Sequence, residues 1–424
     1  MVLALVAICS GSFCQGVTAV GIMDGAKNRI REHRMGELVV TVVDADGDPI
    51  DGATVEVRQT RHEFLFGSNI FAWQQPTDED TAKYRDQYAA IFNFATLAFY
   101  WSGYEGTQGS PQHDDRELVA AWCKEHDITT KGHPLVWNHS AGVPKWLPED
   151  LDEIKRLSDA RVTDCITRFL GTNSIWDVVN EAADPFRAGD AFENRMSEMM
   201  KRFGKMPVTI DSFKLARAAS PDATLLINDY NLGPKYHEVI EQLVDDDGER
   251  MYDVIGIQSH MHGGAWPTER AWDTCEQYAE YGVPLHFTET TICSGPRSDD
   301  GWETTDEGEA LQADEVERFY TILYSHPAVE AITWWDFADR NAWQGAPAGF
   351  LRKDLSPKPA YERLLGLIKG EWWTDETGEA AGGELSVHAT YGDYEITARA
   401  GDRTKTVEFH HPKGGDGAVT VALP

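Results

Sequence analysis

The chain has no run of eighteen consecutive apolar residues, so nothing in it reads as a membrane-spanning helix. Cysteine is scarce: 6 residues in 424, none in a CxxC pair and none grouped with histidine at zinc-ligand spacing. Cys9 and Cys14 lie near the N-terminus, and Cys123, Cys165, Cys275 and Cys293 are scattered, which reads as free thiols rather than a disulfide framework. Basic residues are also few. Against 70 acidic residues stand 38 basic ones, and the resulting net charge of −32 repels phosphate and argues against a nucleic-acid partner. A neutral ligand is unaffected by that charge. No glycine-rich phosphate turn follows the first barrel-type apolar run, which disfavours a doubly wound nucleotide-binding sheet.

Apolar residues, at 42%, are enough to fill a large core. Residues 1–20 contain the run Val2–Cys9 among small residues and read as a short leader, although no Lys or Arg precedes the run and no clear A-x-A site follows. The expected localisation is therefore secreted or periplasmic.

From residue 63 to 372, strand and helix signals alternate eight times. Short apolar runs read as buried strands at Phe64–Phe71, Thr96–Trp101, Thr130–Trp137, Ser174–Glu181, Thr224–Asn231, Val254–His260, Pro284–Thr290 and Ala331–Ala338. Amphipathic stretches between them read as helices, among them Asp114–His126, Leu151–Leu170, Ser212–Ala219, Lys235–Val244, Glu269–Tyr281 and Glu307–Tyr324. Pro359–Ile368 follows the last strand. Eight βα units over that length predict an α/β fold, a closed (β/α)8 TIM barrel.

The two ends alternate with period two instead. Leu38–Val43 and Thr54–Gln59 lie within 37–62, and Leu385–Ala389, Tyr394–Ala398, Thr406–Phe409 and Ala418–Ala422 lie within 383–424. Two strands cannot make a stable sheet alone. The stretches VVDADGDPIDGATVEV and TDETGE…YGDYEITARAG resemble two halves of one prealbumin-like sandwich, so the N- and C-terminal segments are expected to form a single small accessory β-sandwich. Asp44–Asp48 looks like the start of a calcium loop, but its twelfth position is Val55 and the closing glutamate is missing, so it reads as a turn.

In a parallel barrel the strand C-termini share one mouth. The predicted strand ends there are WDVVNE to Glu181, HFTE to Glu289, GHPLVW from 132 to 137, NDYN from 228 to 231, QSH from 258 to 260, and Trp334-Trp335 with Trp343 beyond. An acid closing an apolar strand is costly to bury unless it has partners. Two such acids beside Asn, His, Gln and Trp suit glycosidic cleavage, in which one carboxyl donates a proton and the other attacks. His260 and Gln258 are placed to hydrogen-bond one carboxylate, Asn180 to bind a hydroxyl, and Trp335 and Trp343 to stack on sugar rings.

With WDVVNE, GHPLVW, INDYN, QSH, HFTET and SPKPAYERL, the chain from about Phe64 to Ile368 resembles glycoside hydrolase family 10, whose typical member is an endo-β-1,4-xylanase. The resemblance implies a retaining double displacement on a β-1,4-linked polysaccharide, with Glu181 as acid/base, Glu289 as nucleophile and His260 orienting Glu289. Asn180, His133, Trp137, Tyr230, Gln258, Trp335 and Trp343 would shape the sugar site. No metal or organic cofactor is implied, and the partner would be a β-linked polysaccharide or oligosaccharide met by a monomer.

One departure concerns the sugar beyond the cleaved bond. Where the family carries Glu-Asn-Glu-Met-Lys-Trp, this chain has Thr96-Leu97-Ala98-Phe99-Tyr100-Trp101, so Tyr100 and Phe99 are expected to offer stacking in place of hydrogen bonds. A relative with altered glycone specificity and a non-catalytic carbohydrate-binding barrel are the competing readings. Smaller signals read blandly: His260/His262 as no metal pair, Asn138-His139-Ser140 as a chance sequon, His410-His411 as surface.

Overall fold

The computed structural model describes residues 18–299 and 301–424. Most of the expected leader lies outside the described residues. Its last two residues, Ala19 and Val20, already belong to a helix, Ala19–Arg34, capped by the Thr18 side chain.

Two strands precede the barrel, β1 (Met35–Val43) and β2 (Thr54–His62). The barrel itself is made of β3 (Leu65–Asn69), β4 (Phe94–Ala98), β5 (Thr129–His133), β6 (Ile175–Asn180), β7 (Thr224–Asp229), β8 (Val254–Met261) and β9 (Leu285–Ile292). After a short ladder of β10 (Arg297–Ser298) with β11 (Gly301–Trp302), β12 (Val329–Trp334) closes the circle by pairing with both β9 and β3. Every residue of β6 and β9 is buried, as a parallel sheet covered on both faces requires. The chain is thus a (β/α)8 barrel.

Helix starts follow from their caps. Thr77 accepts the amide of Asp80, Asp150 that of Asp152, and Thr305 that of Gly308, and acidic residues fill each first turn against the helix dipole. Asp78–Ile91 fills the first βα unit and Arg195–Phe203 precedes the helix Lys205–Ala219; neither range is among the examples read from the sequence. The first is mostly polar and buries only Tyr84, Tyr88 and Ile91, too thin an apolar stripe to read from periodicity.

The expected strand Thr96–Trp101 ends earlier, at Ala98. Tyr100 then caps a short helix, Trp101–Tyr104, and Phe99 turns into the core against Phe169 and Trp176. Phe99 therefore offers no stacking surface.

The strands after the barrel are β13 (Asp375–Glu379), β14 (Glu384–Thr390), β15 (Gly392–Ala400), β16 (Arg403–His411) and β17 (Ala418–Ala422). They interleave with the N-terminal pair. One sheet runs β14-β1-β17, the other β13-β2-β15-β16, and between them pack Leu38, Val40, Val42, Val55, Val57 and Ile396. The alternation in β1 buries Leu38, Val40 and Val42 on one face. In the turn after β1, Asp44 Oδ1 accepts the amides of Asp46 and Asp48. His410 is exposed and pairs with Asp393 at 2.6 Å. His411 is not at the surface: it is buried against Tyr391 and Phe409.

Candidate active site

The C-terminal ends of the barrel strands surround a cleft of about 730 Å³. A groove of about 930 Å³ lies at the other end of the strands, between barrel and sandwich, around Thr60, Asp127, Asp393 and His410. It collects no strand-end glutamate, and the chemistry of this fold sits at the opposite mouth.

Glu181 follows β6 directly, with φ of +58°, a left-handed conformation rare for glutamate. Its amide is held by Asn228 O at 2.8 Å, which turns the chain out of the strand and aims the carboxyl across the mouth. Oε2 accepts from Trp137 Nε1 at 3.1 Å and from Arg187 Nη2, and Oε1 accepts from Gln258 Nε2 at 3.3 Å.

Glu289 lies in β9 beside a register slip. Ile257 pairs with Phe287, but Gln258 pairs with Glu289, leaving Thr288 as the extra residue of a bulge. Consecutive side chains thereby meet one amide. Thr288 Oγ1 donates to Asn228 Oδ1 at 2.6 Å, and Asn228 Nδ2 donates to Glu289 Oε1 at 2.8 Å. His260 Nε2 is 3.0 Å from Glu289 Oε2, while its Nδ1 meets Thr291 Oγ1 at 3.0 Å.

The carboxyls are joined by amides. Asn180 Oδ1 accepts from Asn228 Nδ2 at 2.9 Å and from Gln258 Nε2 at 3.2 Å, and these donors also hold Glu289 and Glu181 respectively. His260 and Gln258 thus serve different carboxylates, not one.

Their environments push the two acids apart. Burial raises Glu181 above the usual carboxylate range, and the neighbouring Glu289 adds to this against the pull of Arg187. Burial acts on Glu289 too, but His133, His260 and Lys131 together outweigh it and hold it below the usual range. Beneath the mouth, Asp177 is fully buried. It pairs with Lys131 Nζ at 2.8 Å and His133 Nδ1 at 2.6 Å, and these two partners carry it below the ordinary value despite burial.

Of the sequence-predicted residues, Glu181, Glu289, Asn180, Trp137, Tyr230, Gln258, His260, Trp335, Trp343 and Tyr100 all line the cleft. His133 does not. It sits behind the wall, its Nε2 3.2 Å from Tyr100 Oη and 3.8 Å from Glu289 Oε1, so it supports the site from below. Trp343 and Tyr230 are 46% and 44% exposed, leaving ring faces free for a ligand, whereas Trp335 is buried edge-on to His260 and His133.

Arg187, Asn228, Phe71 and His139 are residues the sequence reading missed. Phe71 packs against Tyr100 and Trp335, and His139 stacks on Trp137 with ring centroids 4.4 Å apart. A signal for Asn228 was present, because it opens the NDYN strand end. Arg187 stands in a loop without pattern. Asn138 is buried and donates to Pro185 O and Ser197 Oγ, so the sequon there is closed to glycosylation. Among the described residues no cluster of three metal-ligating side chains occurs, and His262 faces Trp302 and Trp343 instead.

The profile of Glycosyl hydrolase family 10 matches residues 59–366. The chain belongs to that family. Endo-1,4-beta-xylanase 1 of Arabidopsis thaliana is 26% identical over 323 residues, 73% of this chain and 31% of that protein. Anti-sigma-I factor RsgI6 of Acetivibrio thermocellus is 26% identical over 387 residues, 90% of this chain and 47% of that protein. The chain therefore spans about half or less of the length of these two relatives. Xylanase 10B from Thermotoga petrophila RKU-1, solved in complex with xylobiose, shares the fold with a TM-score of 0.61 at 22% identity, covering 73% of this chain and 95% of that one. The family 10 match begins within β2 and ends in the helix Pro359–Gly366, so it leaves most of the terminal sandwich outside.

Proposed function

We propose that this protein is a retaining glycoside hydrolase acting on β-1,4-linked polysaccharide, xylan foremost, with Glu181 as acid/base and Glu289 as nucleophile. The observation that carries the reading is the unequal setting of two carboxyls in one cleft, one raised and one lowered from the ordinary value. In the first step Glu289 attacks the anomeric carbon while Glu181 passes its proton to the leaving oxygen. In the second, Glu181 takes a proton from water, which then releases the sugar from Glu289. His260 and Asn228 orient Glu289, and Trp343 and Tyr230 offer rings to neighbouring sugars. Family membership and the xylanases among the relatives support the substrate class.

A reducing-end release assay across xylans, glucans and mannans tests this. Release from xylan is expected, and inactivity on every xylan would remove the xylanase reading. Glu289→Ala is expected to lose activity at least about a thousandfold. Glu181→Ala is expected to lose about a hundred- to ten-thousandfold on substrates with poor leaving groups, with part recovered by azide. NMR of the first product is expected to show the β-anomer; the α-anomer would make the enzyme inverting.

A second reading is a barrel that binds carbohydrate without cutting it, as part of a regulatory protein. It is favoured by the similarity to an anti-sigma factor across 90% of this chain. Binding of xylan by the wild type with no hydrolysis would select it. We also propose export, on the apolar run Val2–Cys9; N-terminal sequencing of protein recovered outside the cells checks it.

A further inference from the structure

We propose that the leaving-group side of the cleft is built for a glycan bearing a carboxylate, a uronic acid, which draws Arg187 off Glu181 and thereby frees that acid to take up its proton. The proposal rests on Glu181 being the acid/base.

Arg187 Nη2 donates to Glu181 Oε2, the oxygen that Trp137 also holds. A catalytic acid needs its proton, and a guanidinium on its carboxylate opposes protonation. Arg187 therefore offsets part of the rise that burial gives this acid. The guanidinium is otherwise seated independently of Glu181. It lies over the Phe192 ring at 3.8 Å, near Tyr230 at 5.1 Å, and its Nη1 donates to Asp184 O at 3.1 Å. Its remaining N–H groups have no protein acceptor among the described residues, and a planar fork of that kind fits a carboxylate bidentately. A second arginine faces the same cleft. Arg270 lies over Trp266 at 4.2 Å and has no carboxylate partner among the described residues. In a protein of net charge −32, the cleft carries three arginines beside Glu181, Glu289 and Asp336, and the third, Arg340, is taken by Asp80. The acidic surface repels such a glycan at a distance, but screening within about 8 Å at physiological salt leaves the contact groups to decide.

Arg187 exchanges one carboxylate partner for another, and Glu181 gains one proton from water. That proton passes to the glycosidic oxygen as the C–O bond breaks and Glu289 bonds the anomeric carbon. A neutral substrate gains no such exchange and reacts against the intact pair.

The test compares a neutral β-1,4-xylo-oligosaccharide with one carrying a glucuronic acid branch, on wild type and Arg187→Gln. Wild type is expected to favour the acidic substrate in kcat/KM by about tenfold or more, and the variant to lose that preference. An unchanged ratio, or equal slowing on both substrates, overturns the proposal. A second readout is the alkaline limb of kcat/KM on the neutral substrate. Around Glu181 lie Arg187, Glu289, Asp229, Tyr100 and Tyr230, with His139 beside Arg187. Only the first changes in the variant, so the limb is expected to move to higher pH; an unmoved limb overturns the proposal. If wild type cleaves neither substrate, the hydrolase reading fails by itself. Calorimetric binding of the acidic oligosaccharide to Glu289→Ala then still decides. With Arg187→Gln added, affinity is expected to fall about tenfold, and equal affinity overturns the proposal.

Discussion

Glu289 is held ionised from several sides, and His260 is the neighbour whose removal is easiest to read. His260→Ala deletes the hydrogen-bond partner 3.0 Å from Oε2, one of the groups that hold this carboxyl low, so the carboxyl is expected to rise toward or above its ordinary value. The nucleophile must be ionised, so the acidic limb of kcat/KM is expected to move to higher pH. A pH–rate profile with an unmoved limb would show that His133 and Lys131 alone hold the charge state. At this scale the two glutamates were legible because each follows apolar residues of a barrel strand, where a carboxyl is costly without a task. Asn228 was not singled out, since its importance depends on the bulge at Thr288, which no residue pattern announces. Phe99 misled because aromatic character is visible in a sequence and the direction of a side chain after a strand end is not.

Among elements, the turn after β6 decides where Glu181 points, and Asp229 at the end of β7 holds it. Asp229 Oδ2 accepts the Ala183 amide and Oδ1 the Asn231 amide, both at 2.8 Å. Burial pushes this carboxyl from an ordinary 3.8 up to about 7. The folded state thus holds the proton more tightly than the unfolded chain. The associated stability is present in full below about pH 4 and is lost as pH rises through 7. Asp229→Asn is expected to flatten that part of the stability profile, read as urea midpoints at pH 4, 5.5 and 7.

The helix Ala19–Arg34 offers another element-scale test. Arg34 is buried and donates to the carbonyls of Tyr324, His326 and Val329 at 2.7, 2.5 and 2.6 Å. Arg34→Ala strands those acceptors and is expected to cost about 3 kcal/mol in a denaturant melt. This helix escaped the sequence reading because its start overlaps the apolar N-terminal segment and only Ile22, Ala26 and Arg34 are buried. The barrel strands were legible because buried parallel strands are continuous apolar runs; their ends were less so, because loops at the mouth keep the same apolar character.

For the whole molecule, the net charge of −32 predicts self-repulsion in the compact state. Thermal midpoints are expected to rise as salt is added from low ionic strength, and a fall would point to ion pairs such as Arg352–Glu309 as the dominant electrostatics. The sandwich makes its own prediction. β1 lies between β14 and β17, and β2 between β13 and β15, so deleting 384–424 is expected to remove hydrogen-exchange protection from β1 and to leave β2 only its pairing with β13, while β3 to β9 keep theirs.

That interleaving also sets an order of events during synthesis. β1 and β2 leave the ribosome long before Glu384, and at about 5–20 residues per second their edges wait roughly fifteen seconds to a minute for partners. The nascent chain therefore carries two strands with both edges open through the whole assembly of the barrel. Anything that slows translation inside the barrel lengthens the interval in which those edges can pair with a neighbouring chain instead.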